Sequence, residues 1–138
     1  MVRGMKPAWR ASRRRKGRDY NPAMPTESDR QFTLQQAAAL LPDIQRLTRA
    51  AVDRSEPLAR QLDALGDTDP LRASIAASLN DIVEQWSSEV RALGAEVKGL
   101  WLVDFDNGEG YYCWRHPETA ITHYHAYEEG FAGRMKIV

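Results

Sequence analysis

All three histidines and the only cysteine of the chain lie within a short stretch, from Cys113 to His125. His123 and His125 are separated by one residue, so in a strand both imidazoles would lie on one face, about 7 Å apart. Imidazole, thiolate and carboxylate are ligands that zinc-like ions prefer. The pattern predicts a site for a divalent metal such as zinc, formed by His123, His125 and Asp104. The alternative is a pair of strand histidines that are hydrogen-bonded to their neighbours.

A second candidate is a small-ligand site in the same region. Asp104 and His125 could form an acid–base pair, or a hydrogen bond that only fixes the sheet. Arg134 follows a Gly-Phe-Ala-Gly sequence and could grip a carboxylate or phosphate through two parallel hydrogen bonds, or could simply pair with Glu128 or Asp104 beside a tight turn. No catalytic residue is assigned, because no spacing matches a known catalytic motif. The residues assigned to ligand binding are Asp104, Tyr111, Cys113, Arg115, His125, Glu128 and Arg134.

Three predicted strands position these residues, at about Leu100–Phe105, Gly110–Arg115 and Ile121–Ala126. Asn107-Gly108 is a strong signal for the centre of a two-residue hairpin turn. With that centre, Asp104 lies opposite Tyr111, and a second turn after the middle strand places Tyr111 opposite His125. The three residues then form one row across the sheet.

Alternation along the strands separates the two faces of the sheet. The apolar face is predicted to pack against helices and carries Trp101, Val103, Phe105, Tyr112, Trp114 and Tyr124. The polar face carries the candidate site and consists of Leu100, Leu102, Asp104, Tyr111, Cys113, Arg115, His123 and His125.

The helices are predicted upstream of the sheet. Thr33 with Gln36 forms a capping box that begins a short helix from Leu34 to about Leu41, which Pro42 interrupts. Apolar residues then recur at helical spacing over residues 43–65, where Pro57 should kink or divide the helix, and again over residues 70–93. A short turn between these two helices predicts an antiparallel hairpin. The fold class is therefore α+β, a helical hairpin on a small three-stranded antiparallel sheet.

Composition sets the limits of the fold. The chain of 138 residues is 43% hydrophobic and 28% charged, which is typical of one globular domain, here assigned to residues 32–138. No apolar run is long enough for a membrane-spanning helix, so no membrane partner is expected. A lone cysteine cannot form an internal disulfide, and a cytoplasmic location is the expectation.

The net charge of zero conceals a basic N-terminal segment. Residues 1–18 carry eight basic side chains and no acidic one, whereas residues 19–138 carry a net charge of −8. Residues 1–31 are predicted to form a flexible basic arm, and Met24 offers an alternative start that would exclude most of it. Nucleic acid is an expected partner only if the arm, residues 3–18, is native and functional.

The sequence resembles a bacterial family known as domain of unknown function 2203. The resemblance covers about residues 32–138. It rests on Phe32-Thr33-Leu34, Ala39-Leu40-Leu41-Pro42, Glu96-Val97-Lys98, Val103-Asp104-Phe105, Cys113-Trp114-Arg115, Tyr124-His125 and Gly130-Phe131-Ala132-Gly133-Arg134. It implies a prokaryotic cytoplasmic protein and supplies no activity.

Two functional hypotheses follow, and the first is preferred because no catalytic spacing in the sequence is strong. The first is a non-enzymatic interaction module that self-associates through helices 43–65 and 70–93, as a possible homodimer. The alternative is a protein that binds a small ligand or a divalent metal at a site around Asp104, His125 and Arg134. Such a site would also suit an enzyme. The second hypothesis requires these side chains to converge in space.

Overall fold

The computed structural model describes residues 31–137, so the predicted arm lies outside the described residues except for Gln31. Two helices are followed by five strands and one short 3-10 turn. The helices are α1 (Leu34–Ala64) and α2 (Leu71–Ala92). The strands are β1 (Glu96–Gly99), β2 (Leu102–Asp106), β3 (Gly110–Arg115), β4 (His123–Ala126) and β5 (Met135–Lys136), and the 3-10 turn is Phe131–Gly133.

The predicted capping box is confirmed at the start of α1. Thr33 Oγ1 accepts a hydrogen bond from the backbone N–H of Gln36 at 3.1 Å, and Gln36 Oε1 accepts one from the backbone N–H of Thr33 at 2.9 Å. The reciprocal bonds satisfy two N–H groups that the first helical turn leaves without partners.

The predicted interruption at Pro42 and division at Pro57 are wrong, because α1 is one continuous helix. Its buried residues recur every three or four positions straight through Pro42, so the helix keeps a single apolar face that burial stabilises. Both prolines are exposed, as are Ala38 and Asp53, whose carbonyls lose their usual N–H partner four positions later. Water can satisfy these carbonyls, which lowers the cost of an internal proline.

The two helices pack against each other as a hairpin, as the short connection predicts. Asp69 Oδ1 accepts the backbone N–H of Leu71 at 2.9 Å and so caps α2. Between the helices, Trp86 Nε1 donates a 2.8 Å hydrogen bond to Thr48 Oγ1, which donates to the Ile44 carbonyl at 2.7 Å. This chain of bonds is fully buried. Neither helix is long and apolar enough to span a membrane.

The sheet has five strands in the order β1-β2-β3-β4-β5, each antiparallel to its neighbour, instead of the predicted three. The two strands that the sequence analysis missed are the edges, β1 and β5. They are four and two residues long, too short for alternation to show a periodic signal. The three predicted strands are present, although Leu100 and Trp101 lie in a turn before β2 and Ile121 precedes β4.

The predicted register between β2 and β3 is wrong by two residues. Asp104 lies opposite Cys113, and Asp106 lies opposite Tyr111. Gly108, with φ of +94°, is the first central residue of the turn, and the Asn107 side chain accepts hydrogen bonds from the backbone N–H groups of Glu109 and Gly110. Asn107 thus stabilises the turn from its flank, whereas the prediction placed it at the centre. The predicted pairing of Tyr111 with His125 between β3 and β4 is confirmed.

A shift of two residues leaves every side chain on its predicted face. The apolar face packs on the helices, with Val103, Phe105 and Trp114 fully buried in the same cluster as Ile44 and Trp86. Helices on one face and an extended antiparallel sheet confirm the α+β class. The opposite face carries the candidate site.

Candidate functional site

Three side chains of predicted site residues meet on the sheet face that points away from the helices. Asp104 is in β2, Cys113 is opposite it in β3, and His125 lies one pair further along in β4. All three are buried. They form a diagonal across three strands, whereas the sequence predicted a straight row through Tyr111.

A hydrogen bond joins the acid and the imidazole. His125 Nε2 lies 2.7 Å from Asp104 Oδ2, and His125 Nδ1 lies 2.9 Å from the carbonyl oxygen of Ala126. Because a carbonyl can only accept, Nδ1 carries a hydrogen, and Nε2 is the nitrogen that faces the carboxylate. Nε2 therefore either carries a second proton or is free to bind another cation.

The surroundings of His125 favour its protonated form. Burial alone would lower the pKa of His125, but the hydrogen bond to Asp104, the charge of that carboxylate and the Ala126 carbonyl together outweigh it. The net result is a pKa raised above the ordinary value for histidine. The contact with Asp104 therefore favours a proton on Nε2.

Cys113 is placed as a protonated thiol. Burial raises its pKa first of all, and the negative charge of the neighbouring Asp104 raises it further. Arg134 Nη1, at 3.9 Å from Cys113 Sγ, acts in the opposite direction but does not compensate. A raised pKa is unfavourable for a free nucleophile, since the thiolate is the reactive form.

The hydrogen bonds of His125 do not form a nucleophilic triad with Cys113. In such a triad the imidazole contacts the nucleophile through one nitrogen and the orienting carboxylate through the other. Here Nε2 contacts Asp104 and Nδ1 contacts a backbone carbonyl, so neither ring nitrogen of His125 is directed at Cys113.

The arrangement has the features of a metal-binding site. One ligand atom each from Asp104, Cys113 and His125 lies within 4.8 Å of the other two. The Nδ1 hydrogen bond to a backbone carbonyl is the usual way in which a ligating histidine is held in orientation. Within residues 31–137, the buried Asp104 Oδ1 has no hydrogen-bond partner. An unpartnered carboxylate oxygen in the interior is costly, and a bound cation would relieve that cost.

Strand β1 adds two charged groups that the sequence analysis did not assign to the site. Lys98 Nζ lies 3.9 Å from Asp104 Oδ2 and 3.6 Å from the centre of the Tyr111 ring. Tyr111 Oη donates to Glu96 Oε1 at 3.2 Å. Glu96 and Lys98 lie on the site face with Val97 between them in the core, but a strand of four residues is too short to give a periodic signal in the sequence.

Arg134 and Arg115 lie on the rim of the cluster. Arg134 forms two parallel hydrogen bonds with Glu118, at 2.7 and 3.1 Å, in place of the predicted pairing with Glu128 or Asp104. Both arginines contact the ring of Phe131, with guanidinium-to-centroid distances of 4.3 Å for Arg134 and 5.2 Å for Arg115.

His123, a predicted metal ligand, and Glu128, a predicted ligand-binding residue, are not among the residues that come together. His123 is half-buried opposite Cys113, and its Nδ1 lies 2.9 Å from Thr122 Oγ1. Glu128 is exposed in the turn after β4. Among the predicted ligand-binding residues, Asp104, Cys113, His125 and Arg134 thus come together, and Tyr111 contacts the His125 ring at 5.4 Å between centroids.

Comparison with known proteins adds a family but no activity. Neither the curated proteins nor the solved structures include a match to the chain. Residues 30–137 match the family described as uncharacterized conserved protein, DUF2203. The match covers most of the chain and all five strands, so the protein is a member of the DUF2203 family.

Proposed function

We propose that this protein binds a divalent cation of the zinc class through Asp104, Cys113 and His125. The observation that carries the proposal is the meeting of one carboxylate, one thiol and one correctly oriented imidazole, all buried, within 4.8 Å. Surface acidic clusters often come together without binding anything. Burial of a carboxylate and an imidazole beside a thiol costs free energy that a bound cation would offset. Cys, His and Asp are each established zinc ligands.

Charge balance supports the same ion. When the hydrogen-bonded pair of Asp104 and His125 shares one acidic proton and Cys113 is a thiol, the net charge of the three side chains is zero. A dication that displaces one proton from His125 and one from Cys113 leaves the net charge at zero again. The site can therefore exchange two protons for one dication without burying an additional net charge, which a low-dielectric interior would resist.

The neighbouring groups fit this exchange. Arg134 lies against Cys113 Sγ and would stabilise the thiolate that a metal requires. Ala126 holds the imidazole with Nε2 toward Asp104. Three protein ligands leave a fourth position for water or another small ligand, as in sites where zinc keeps an open position. The proposal assigns binding and makes no assignment of a reaction.

The test is native mass spectrometry of the full chain after treatment with a chelator and addition of one equivalent of zinc. We expect one zinc per chain in the wild type and loss of the ion in His125→Gln and Cys113→Ser. His123→Gln is the matched control, because it removes a histidine from the same strand and leaves the three ligands in place. Circular dichroism checks that each variant is folded. Absence of zinc from the wild type, or equal loss in His123→Gln and His125→Gln, would contradict the proposal.

A second candidate function is self-association through the end of the helical hairpin. From Val52 to Asp81 no residue is fully buried, and Leu71 is 57% exposed. Residues 73–80 of α2 carry no charge and are mostly small and exposed. A neutral face of small side chains is where a second copy could approach closely.

Sedimentation velocity over a range of protein concentrations tests this second function. We expect a concentration-dependent dimer in the wild type that Ala77→Arg converts to monomer. Ala92→Arg, at the exposed end of the same helix next to the sheet, is the control and should leave the dimer intact. A wild-type chain that stays monomeric at high concentration would remove the basis for self-association.

A further inference from the structure

We propose that a cleft between α1 and the β3–β4 connection is a second binding site, specific for a small oxyanion. The cleft has a volume of about 290 Å³. None of the three metal-ligand candidates lines it. The residues that line it are Gln45, Arg46, Arg49, Trp114, His116, Pro117, Glu118 and Thr119.

Two guanidinium groups give the cleft its charge. Arg46 and Arg49 are three residues apart in α1, so their side chains leave the helix on neighbouring positions of one face. Arg49 makes no ion pair with any residue from 31 to 137. Arg46 pairs with Asp43 at 2.9 Å, but both side chains are at least half exposed, and such a pair is weak. Both arginines therefore keep donors for a ligand.

The one carboxylate in the lining does not cancel this charge. Glu118 accepts two hydrogen bonds from Arg134 and one from the backbone N–H of Arg115. Burial alone would raise the pKa of Glu118, but these bonds and the charge of Arg134 lower it below its ordinary value. Glu118 is thus ionised and neutralised by an arginine from outside the cleft. Among residues 31–137, Arg49 then has no carboxylate partner, and Arg46 has only the exposed pair with Asp43.

Hydrogen bonds hold the residues at the base of the cleft in place. Trp114 Nε1 donates to the Glu118 carbonyl at 2.7 Å, and Gln45 Nε2 lies 3.4 Å from the carbonyls of Glu118 and Thr119. These bonds hold the β3–β4 connection against β3 and α1. The shape of the cleft therefore does not depend on a ligand. They also leave the guanidinium groups, with His116 beside them, as the groups that recognise a ligand.

Charge and size define the class of ligand. Guanidinium groups in pairs bind carboxylates and phosphates through parallel hydrogen bonds. A volume of about 290 Å³ is at the lower end of small-molecule sites. The ligand is therefore a small metabolite-sized molecule that presents a carboxylate or a phosphate.

The test is a nuclear magnetic resonance titration of the full chain, kept free of metal with a chelator. Inorganic phosphate and succinate are the two probes, each added at constant ionic strength with sodium chloride as balance. The Trp114 indole N–H and the Arg49 Nε–H are followed. We expect saturable shifts with at least one probe, and the probe that saturates identifies a phosphate or a carboxylate ligand.

Arg49→Gln and Arg60→Gln are the matched variants. Arg60 is also exposed and also in α1, but it does not line the cleft. Loss of a charge-assisted hydrogen bond should weaken binding roughly tenfold or more in Arg49→Gln, and Arg60→Gln should bind as the wild type does. Shifts that stay linear with both probes, or equal affinities of Arg49→Gln and the wild type, would overturn the proposal. Both variants are at the surface, so neither outcome depends on a folding defect.

Discussion

The replacement Asp104→Asn should reverse the pH dependence of stability that His125 causes in the metal-free protein. In the wild type the pKa of His125 is raised, so the folded state binds its proton more tightly than the unfolded state does. That contribution to stability is fully present below the unfolded pKa, about 6.5, and is lost as the pH rises through the folded pKa.

In Asp104→Asn the carboxylate that raised the pKa is gone. Burial of His125 and the charge of Lys98 remain, and both lower the pKa. Only the Ala126 carbonyl still favours the protonated ring. We expect a folded pKa below about 6.5, so that stability falls as the pH drops below that value. Each proton contributes a slope of at most about 1.4 kcal/mol per pH unit, positive in the variant and negative in the wild type.

The assay is urea unfolding at intervals from pH 5.5 to 8.5 with a chelator present. The difference in unfolding free energy between wild type and variant removes the contributions of titrating groups that both proteins share. The double variant Asp104→Asn/His125→Gln and the single variant His125→Gln should both lose the dependence. Parallel pH profiles for the wild type and Asp104→Asn would refute the reasoning, because they would mean that the carboxylate does not control the His125 proton.

Three further predictions concern the core, the sheet and the metal. Thr48→Val leaves the Trp86 indole N–H buried without its acceptor and should lower the unfolding free energy by about 1–3 kcal/mol, measured by urea unfolding. Gly110→Ala would place a Cβ 2.5 Å from the His125 carbonyl oxygen, so it should destabilise the protein by about 1–3 kcal/mol and weaken zinc binding. Gly66→Ala has open space around it and should change neither stability nor zinc binding. Zinc binding at pH 7 should release between one and two protons, one from the Cys113 thiol and a fraction from His125. Calorimetry in buffers of different ionisation enthalpy measures this number. Release of no proton would show that the thiol is not a ligand.

The local elements followed from the sequence because their signals are local. The Thr33–Gln36 capping box and the two amphipathic helical faces depend on residues three or four positions apart. The prediction failed at Pro42 because it treated the proline as decisive by itself. Burial along a face that continues past Pro42 outweighs one lost hydrogen bond at an exposed position.

The candidate site was predictable in part. Asp104, Cys113, His125 and Arg134 were identified from residue type and strand alternation, and they do come together. Arg49 and the cleft beside it had no sequence signal, because α1 and the β3–β4 connection are about 70 residues apart in the chain. Lys98 and Glu96 were missed with strand β1, which is too short to be periodic.

By itself the sequence determined where the helical region lies, which face of each of the three predicted strands is polar, and which of their side chains share that face. These properties depend on local spacing and on the two-residue period of a strand, and a register shift of two leaves them unchanged. Only the tertiary structure decided that Asp104 lies opposite Cys113, close enough for its carboxylate to reach His125. That placement depends on the turn at Gly108 and on pairing between distant segments. Burial of the three side chains, and the contact with Asp104 that raises the pKa of His125, are also properties of the assembled sheet.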